Sequence, residues 1–125
     1  MEKGSRPILW HVTDPRGLNI ILAKDSWDHA ILKHRELADY LFEVRQTLVE
    51  PDAIFFDPKS TEEHQSGAQI YWYMKRGILS GPLQKDHMSV IVKVVVESYG
   101  KQGYVSTAIP LDKPMTRLVL EWSKS

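Results

Sequence analysis

Hydrophobic and polar positions follow two different periods along this chain. Ile8–Thr13 and Leu18–Ala23 are short apolar segments separated by Asp14-Pro15-Arg16-Gly17. Aspartate first, proline second and glycine fourth is the composition of a type I turn, so the pattern predicts a hairpin. The period then lengthens. Leu37, Leu41, Val44 and Leu48 recur at spacings of four and three, which marks one apolar helical face. Asp25 or Ser26 is the expected N-cap, and Asp28 falls in the favourable first turn. The helical pattern runs to about Val49, with a break near His34–Glu36 that divides it in two. Pro51 stops the second helix.

Beyond Pro51 the period falls to two. Ala53–Asp57 reads as a short strand, and the polar stretch Pro58 to Gly67 as a loop. In Gln69–Lys75, Ile70, Trp72 and Met74 share one face, while Tyr71, Tyr73 and Lys75 share the other. Arg76 to His87 contains Gly77, Gly81 and Pro82 and reads as a loop. Met88–Glu97 is the central strand, Ser98–Gly103 a turn, Gln102–Pro110 the next strand and Thr116–Trp122 the last. The predicted fold is α+β. An N-terminal hairpin and helices precede an antiparallel sheet of about four to five strands, with helices on one face and the other free to carry a site.

The 125 residues suit a single domain spanning 1–125. No apolar run approaches the ~20 residues of a membrane span, and the first residues lack the apolar core of a signal peptide. There is no cysteine, so disulfides and thiolate metal sites are excluded, and a cytoplasmic location is expected. The formal net charge is zero, yet it is unevenly spread. Residues 1–65 hold 8 Lys/Arg against 12 Asp/Glu, and residues 66–125 hold 8 against 4. A basic second half can attract a polyanion; an ordinary dipolar surface is the alternative.

Ser89–Ser98 places one lysine in a run of valine and isoleucine. Taking an ammonium out of water costs several kcal/mol unless it is paired. Lys93 is therefore a candidate phosphate-holding residue; an ion pair with Asp or Glu, or a stem that snorkels to water, is the alternative. His29 and His34 lie on the first helix, five residues and roughly 140° apart. Metal pairs use spacings of three or four, so no metal is expected. His34 falls in line with Trp27, Ala30, Ile31 and Leu37 and reads as a packed histidine. His29 points away from that stripe. It is either solvent-exposed or turned to the open sheet face, where its titration range suits acid–base work. Tyr71, Tyr73 and Lys75 share a strand face, and Ser106 and Thr107 lie on neighbouring positions of another strand. Converging on one surface, these groups would suit a phosphodiester without metal or cysteine.

The phrases DSWDHAILKHREL, QTLVEPDAIFFD, QIYWYMK, SVIVKVVVES and GYVSTAIP occur here in a particular order. From about Trp27 to Ile109 the chain resembles the phage-type branch of the barnase–EndoU–colicin E5/D–RelE-like (BECR) nuclease family. Ala30 stands where that family usually has Ile, and Arg35 where Pro is common. The resemblance implies a metal-independent, toxin-like endoribonuclease with no cofactor. It implies catalytic roles for His29, Tyr71, Lys93 and Thr107, and substrate contacts from His34, Tyr73, Lys75 and Ser106. The implied reaction yields a 2′,3′-cyclic phosphate and a 5′-hydroxyl. Implied partners are RNA, either tRNA or mRNA, and an antitoxin or immunity protein, with no membrane. A non-catalytic RNA- or protein-binding domain on the same fold is the rival reading.

Overall fold

The structure is a computed structural model that describes residues 7–64, 67–76, 89–97, 102–111 and 117–124. Strands β1 (Ile8–Thr13) and β2 (Asn19–Ala23) precede helices α1 (Lys24–Lys33) and α2 (Leu41–Val49). A 3₁₀ turn at Arg35–Leu37 separates the helices, so the break falls where the pattern places it. Strand β3 (Ala53–Phe56), helix α3 (Pro58–Glu63), and strands β4 (Gln69–Arg76), β5 (Ser89–Val96), β6 (Gln102–Leu111) and β7 (Val119–Ser123) follow. The Arg76–His87 loop, beyond Arg76 itself, lies outside the described residues, as does most of the Ser98–Gly103 turn. Among the described residues no helix is long and apolar enough to cross a membrane.

The expected sheet of four to five antiparallel strands is corrected: among the described residues it has seven strands, in the order β1-β2-β6-β5-β4-β3-β7. The sheet is mixed, because β2 runs parallel to β6 while the other pairings are antiparallel. The α+β character stands. The N-terminal hairpin joins this sheet rather than standing apart, because α1 and α2 form a crossover that returns the chain to it. Gly103 of β6 lies opposite Ile20 of β2. A Cβ at Gly103 would lie 2.8 Å from Val94 Cγ1, so a larger residue there would push into the core.

Two local expectations also change. Helix α1 begins two to three residues earlier than expected, with Ala23 as its N-cap and no side-chain cap bond, rather than Asp25 or Ser26. The polar stretch after Asp57 is not all loop. Asp57 caps α3 by accepting from the Ser60 N–H at 3.0 Å, and Pro58 occupies the first turn, where its missing donor is harmless.

The core lies between the two longer helices and one face of the sheet. Val90, Val92, Val94 and Val96 of β5 are buried there with Trp27 of α1, Val44 and Leu48 of α2, and Leu37 between the helices. Tyr73 belongs to the same core and is fully buried. Its hydroxyl donates to Asp14 Oδ2 at 2.5 Å. Asp14 also accepts from the backbone N–H groups of Arg16 and Leu18 at 2.8 and 2.9 Å, with Arg16 Nε at 3.5 Å. Asp14-Pro15-Arg16-Gly17 forms the expected turn, closed by Gly17 N–H donating to the Asp14 carbonyl at 3.0 Å. Gly17 takes φ +89°, which glycine adopts without a Cβ penalty. The turn thus does more than reverse the chain. It delivers a carboxylate whose buried charge is satisfied by four donors, tying the hairpin to β4.

Burial foremost, and then the bond to Asp14, push the Tyr73 phenol far above its ordinary range, against the opposing pull of Arg16. Tyr73 therefore stays neutral and donating. Tyr73→Phe leaves the Asp14 carboxylate short of one donor and should destabilise the fold by about 1.5–3 kcal/mol, the range for a hydrogen bond to a charged group. Tyr71→Phe removes a more exposed bond to Gln69 and should stay within about 0.5 kcal/mol. Urea unfolding of both variants measures the contrast.

Candidate functional site

Side chains alternate along a strand, and cross-strand partners share a face. Register therefore decides which of the expected site residues meet. Lys93 pairs with Trp72 of β4 on one side and Thr107 of β6 on the other. All three lie on the face opposite Val92 and Val94, away from α1 and α2. Tyr71 pairs with Val94 and Tyr73 with Val92, so both tyrosines lie on the helix-bearing face. The expectation that a strand tyrosine joins Lys93 in one cleft is corrected: the pleat of β4 separates them.

The remaining candidates divide in the same way. His29 is exposed on α1, a helix that packs Trp27 and Ala30 inward on the opposite side of the sheet from Lys93. His34 is half-buried at the C-terminal end of α1, not a core residue. Lys75 faces the helix side, and its Nζ donates to the Glu50 carbonyl at 2.8 Å. Tyr71 is half-buried, with the Arg16 guanidinium 5.1 Å from its ring centroid and Phe56 at 5.4 Å. Burial, followed by the nearby Glu121 carboxylate, raises the Tyr71 phenol above its usual range.

Lys93, Ser106 and Thr107 remain together. Between Lys93 and Val94 the β5–β6 register shifts by one residue, from Lys93↔Thr107 to Val94↔Val105. Ser106 is the extra residue, and such a bulge re-aims side chains locally. Lys93 and Ser106 line an open groove of about 250 Å³ with Ile70 and Val95. Ser60, Glu63 and His64, from α3 and its C-terminal end, complete the lining. The groove thus joins one cation, two serine hydroxyls, an imidazole and a carboxylate, over an apolar floor of Ile70 and Val95.

The Lys93 ammonium lies 5.7 Å from the centroid of the Trp72 ring, within the reach of a cation–π attraction. The indole is itself anchored, because Trp72 Nε1 donates to Asp57 Oδ2 at 2.9 Å. Asp57 is buried, which alone would raise its pKa. Hydrogen bonds from Ser60 and Trp72, and attraction to Lys93, bring it below the usual carboxylate value instead. Among the described residues no carboxylate comes within 4 Å of Lys93 Nζ. Its positive charge is balanced at a distance and still faces the groove.

Sequence reasoning missed Ser60, Glu63, His64, Trp72 and Asp57. The dipeptide Asp57-Pro58 was the available signal for α3, being a capping residue followed by proline at the first helical position. Six residues are too few for a readable helical period. The alternation separates Trp72 from Tyr71 and Tyr73, but the expected convergence puts the tyrosines beside Lys93, whereas strand register pairs Lys93 with Trp72 instead. Among the described residues no group of three His, Cys, Asp or Glu could hold a metal ion. Compared with family models, curated proteins and solved structures, the chain gives no match in any of the three. The nuclease resemblance accordingly rests on the residues of the chain.

The lowered Asp57 pKa implies a pH dependence of stability. A carboxylate whose folded pKa lies below its unfolded value contributes fully above the unfolded pKa, near 4. That contribution is lost as pH falls through the lower, folded value. Wild type should therefore lose stability as pH falls below about 4, and Asp57→Asn should flatten that part of the curve. Thermal melts of both proteins across this acid range read the difference.

Proposed function

We propose that the domain acts on RNA, cleaving a phosphodiester held in the Lys93 groove. The observation that carries this reading is the gathering of Lys93, Ser106, Ser60, His64 and Glu63 around one groove on the face away from α1 and α2. The phrase-by-phrase resemblance of the chain to metal-independent nucleases supports it.

In this reading Lys93 neutralises a non-bridging phosphate oxygen, and the serine hydroxyls donate to the phosphate. Both interactions strengthen as charge builds in the transition state. Glu63 accepts the proton of the ribose 2′-hydroxyl, whose oxygen attacks phosphorus. The 5′-oxygen leaves with a proton from His64. The products are a 2′,3′-cyclic phosphate and a 5′-hydroxyl, and no water is consumed. His64 thus takes the acid–base role that the resemblance assigns to His29.

A second reading is a module that binds RNA without cutting it. The position of His29 on the other side of the sheet favours it, because the histidine implied by the family pattern is then away from the phosphate site.

Purified wild-type protein incubated with total RNA tests both readings. The cleavage reading expects cyclic-phosphate ends, a loss of about 10²–10⁴ in rate for His64→Ala, a loss of about 10²–10³ for Lys93→Ala, and little change for His29→Ala. Intact RNA that is nevertheless bound, with binding weakened by Lys93→Ala, favours the second reading. A loss of cleavage confined to His29→Ala would falsify the His64 assignment.

A further inference from the structure

Strand register continues beyond Lys93 to the edge of the sheet. Trp72 pairs with Phe55 of β3, and Phe55 with Leu120 of β7. Thr107, Lys93, Trp72, Phe55 and Leu120 therefore form one cross-strand row on a single face. The row runs from the phosphate groove to an edge strand, and its chemistry changes in order: hydroxyl, ammonium, indole, phenyl, isobutyl. Trp72 and Phe55 are half-buried, and Leu120 is 56 % exposed.

We propose that Trp72, Phe55 and Leu120 form a platform that takes unpaired bases of single-stranded RNA, beside the phosphate held by Lys93. This rests on the phosphodiester reading above and names its substrate class. Three strand spacings separate Lys93 from Leu120, about 14 Å, enough for a nucleobase beyond the held phosphate. The platform is rigid at its inner end, since the Trp72 indole is fixed by its bond to Asp57, which Ser60 holds in turn. A preset aromatic ring loses little freedom when a base packs on it. Charge selects the occupant: the platform adjoins the Lys93 cation, which suits a chain of alternating phosphates and flat apolar bases. Bases in an A-form duplex stay stacked on one another and cannot reach a flat sheet surface, whereas unpaired bases can. The row therefore selects for strandedness.

The test uses the full chain and two probes, a short single-stranded 2′-O-methyl oligonucleotide, which cannot be cleaved, and its duplex. Affinities are read by fluorescence anisotropy at several salt concentrations. The single strand should bind at least about tenfold tighter than the duplex. Phe55→Leu, which keeps apolar volume but removes the ring, should weaken single-strand binding about tenfold and leave the salt dependence unchanged. Lys93→Ala should lower the salt slope by about one. Leu120→Ser lies on an exposed edge, keeps the fold, and should weaken single-strand binding in the same direction. Equal affinity for duplex, or indifference to both Phe55→Leu and Leu120→Ser, overturns the platform. So does a change in oligomeric state on Leu120→Ser without a change in RNA affinity, because the row would then be an interface between copies. Failure of the folded wild type to bind either probe overturns the phosphodiester reading itself.

Discussion

The structure depends on the strict alternation of side chains in β4 and β5. Val90, Val92, Val94 and Val96 must all enter the core against α1 and α2, because burying four branched side chains is a principal driving force for sheet–helix packing. Once they do, Lys93 has no choice of face. Its partner Trp72 goes with it, and Tyr71 and Tyr73 go the other way. A slip of one residue would put the lysine among the valines and expose them. The same burial requirement therefore builds the core and decides which polar groups can meet beside Lys93.

The buried Asp14–Tyr73 pair is the second constraint. Residues 59 apart in sequence meet through a bond that satisfies a carboxylate deep in the protein. Arg16 joins from the same turn, 3.3 Å from the Tyr73 hydroxyl, and reaches over the Tyr71 ring. These tyrosines thus work in the architecture. Tyr73 in particular cannot serve a phosphate, because its hydroxyl is committed to Asp14 inside the core. The opposite face is built differently: there the bulge at Ser106 and the short helix α3 bring polar groups beside Lys93.

Much of the fold was legible because it is local. The hairpin turn, the break between α1 and α2, and the burial of alternate valines in β5 all follow from neighbours a few residues apart. Helix α3 escaped because six residues carry no period, although Asp57-Pro58 marks its start. The strand count and the parallel β2–β6 pairing escaped because they depend on which distant strands adjoin. The candidate site was legible in part: Lys93, Ser106 and Thr107 stay together because β5 and β6 are adjacent. His29, Tyr71, Tyr73 and Lys75 separate from them because residue identity does not reveal which side of the sheet an element packs against.

By itself the sequence determined the alternation that turns Lys93 away from the valines, the Asp14–Gly17 turn and the amphipathic helical segments. Each arises from short-range geometry and solvation. Only the tertiary structure decided what faces Lys93. Register placed Trp72 and Thr107 beside it, a one-residue bulge added Ser106, and α3 brought Ser60, Glu63 and His64. Those neighbours come from three separate parts of the chain, and only the packing of the whole sheet sets the distances between them.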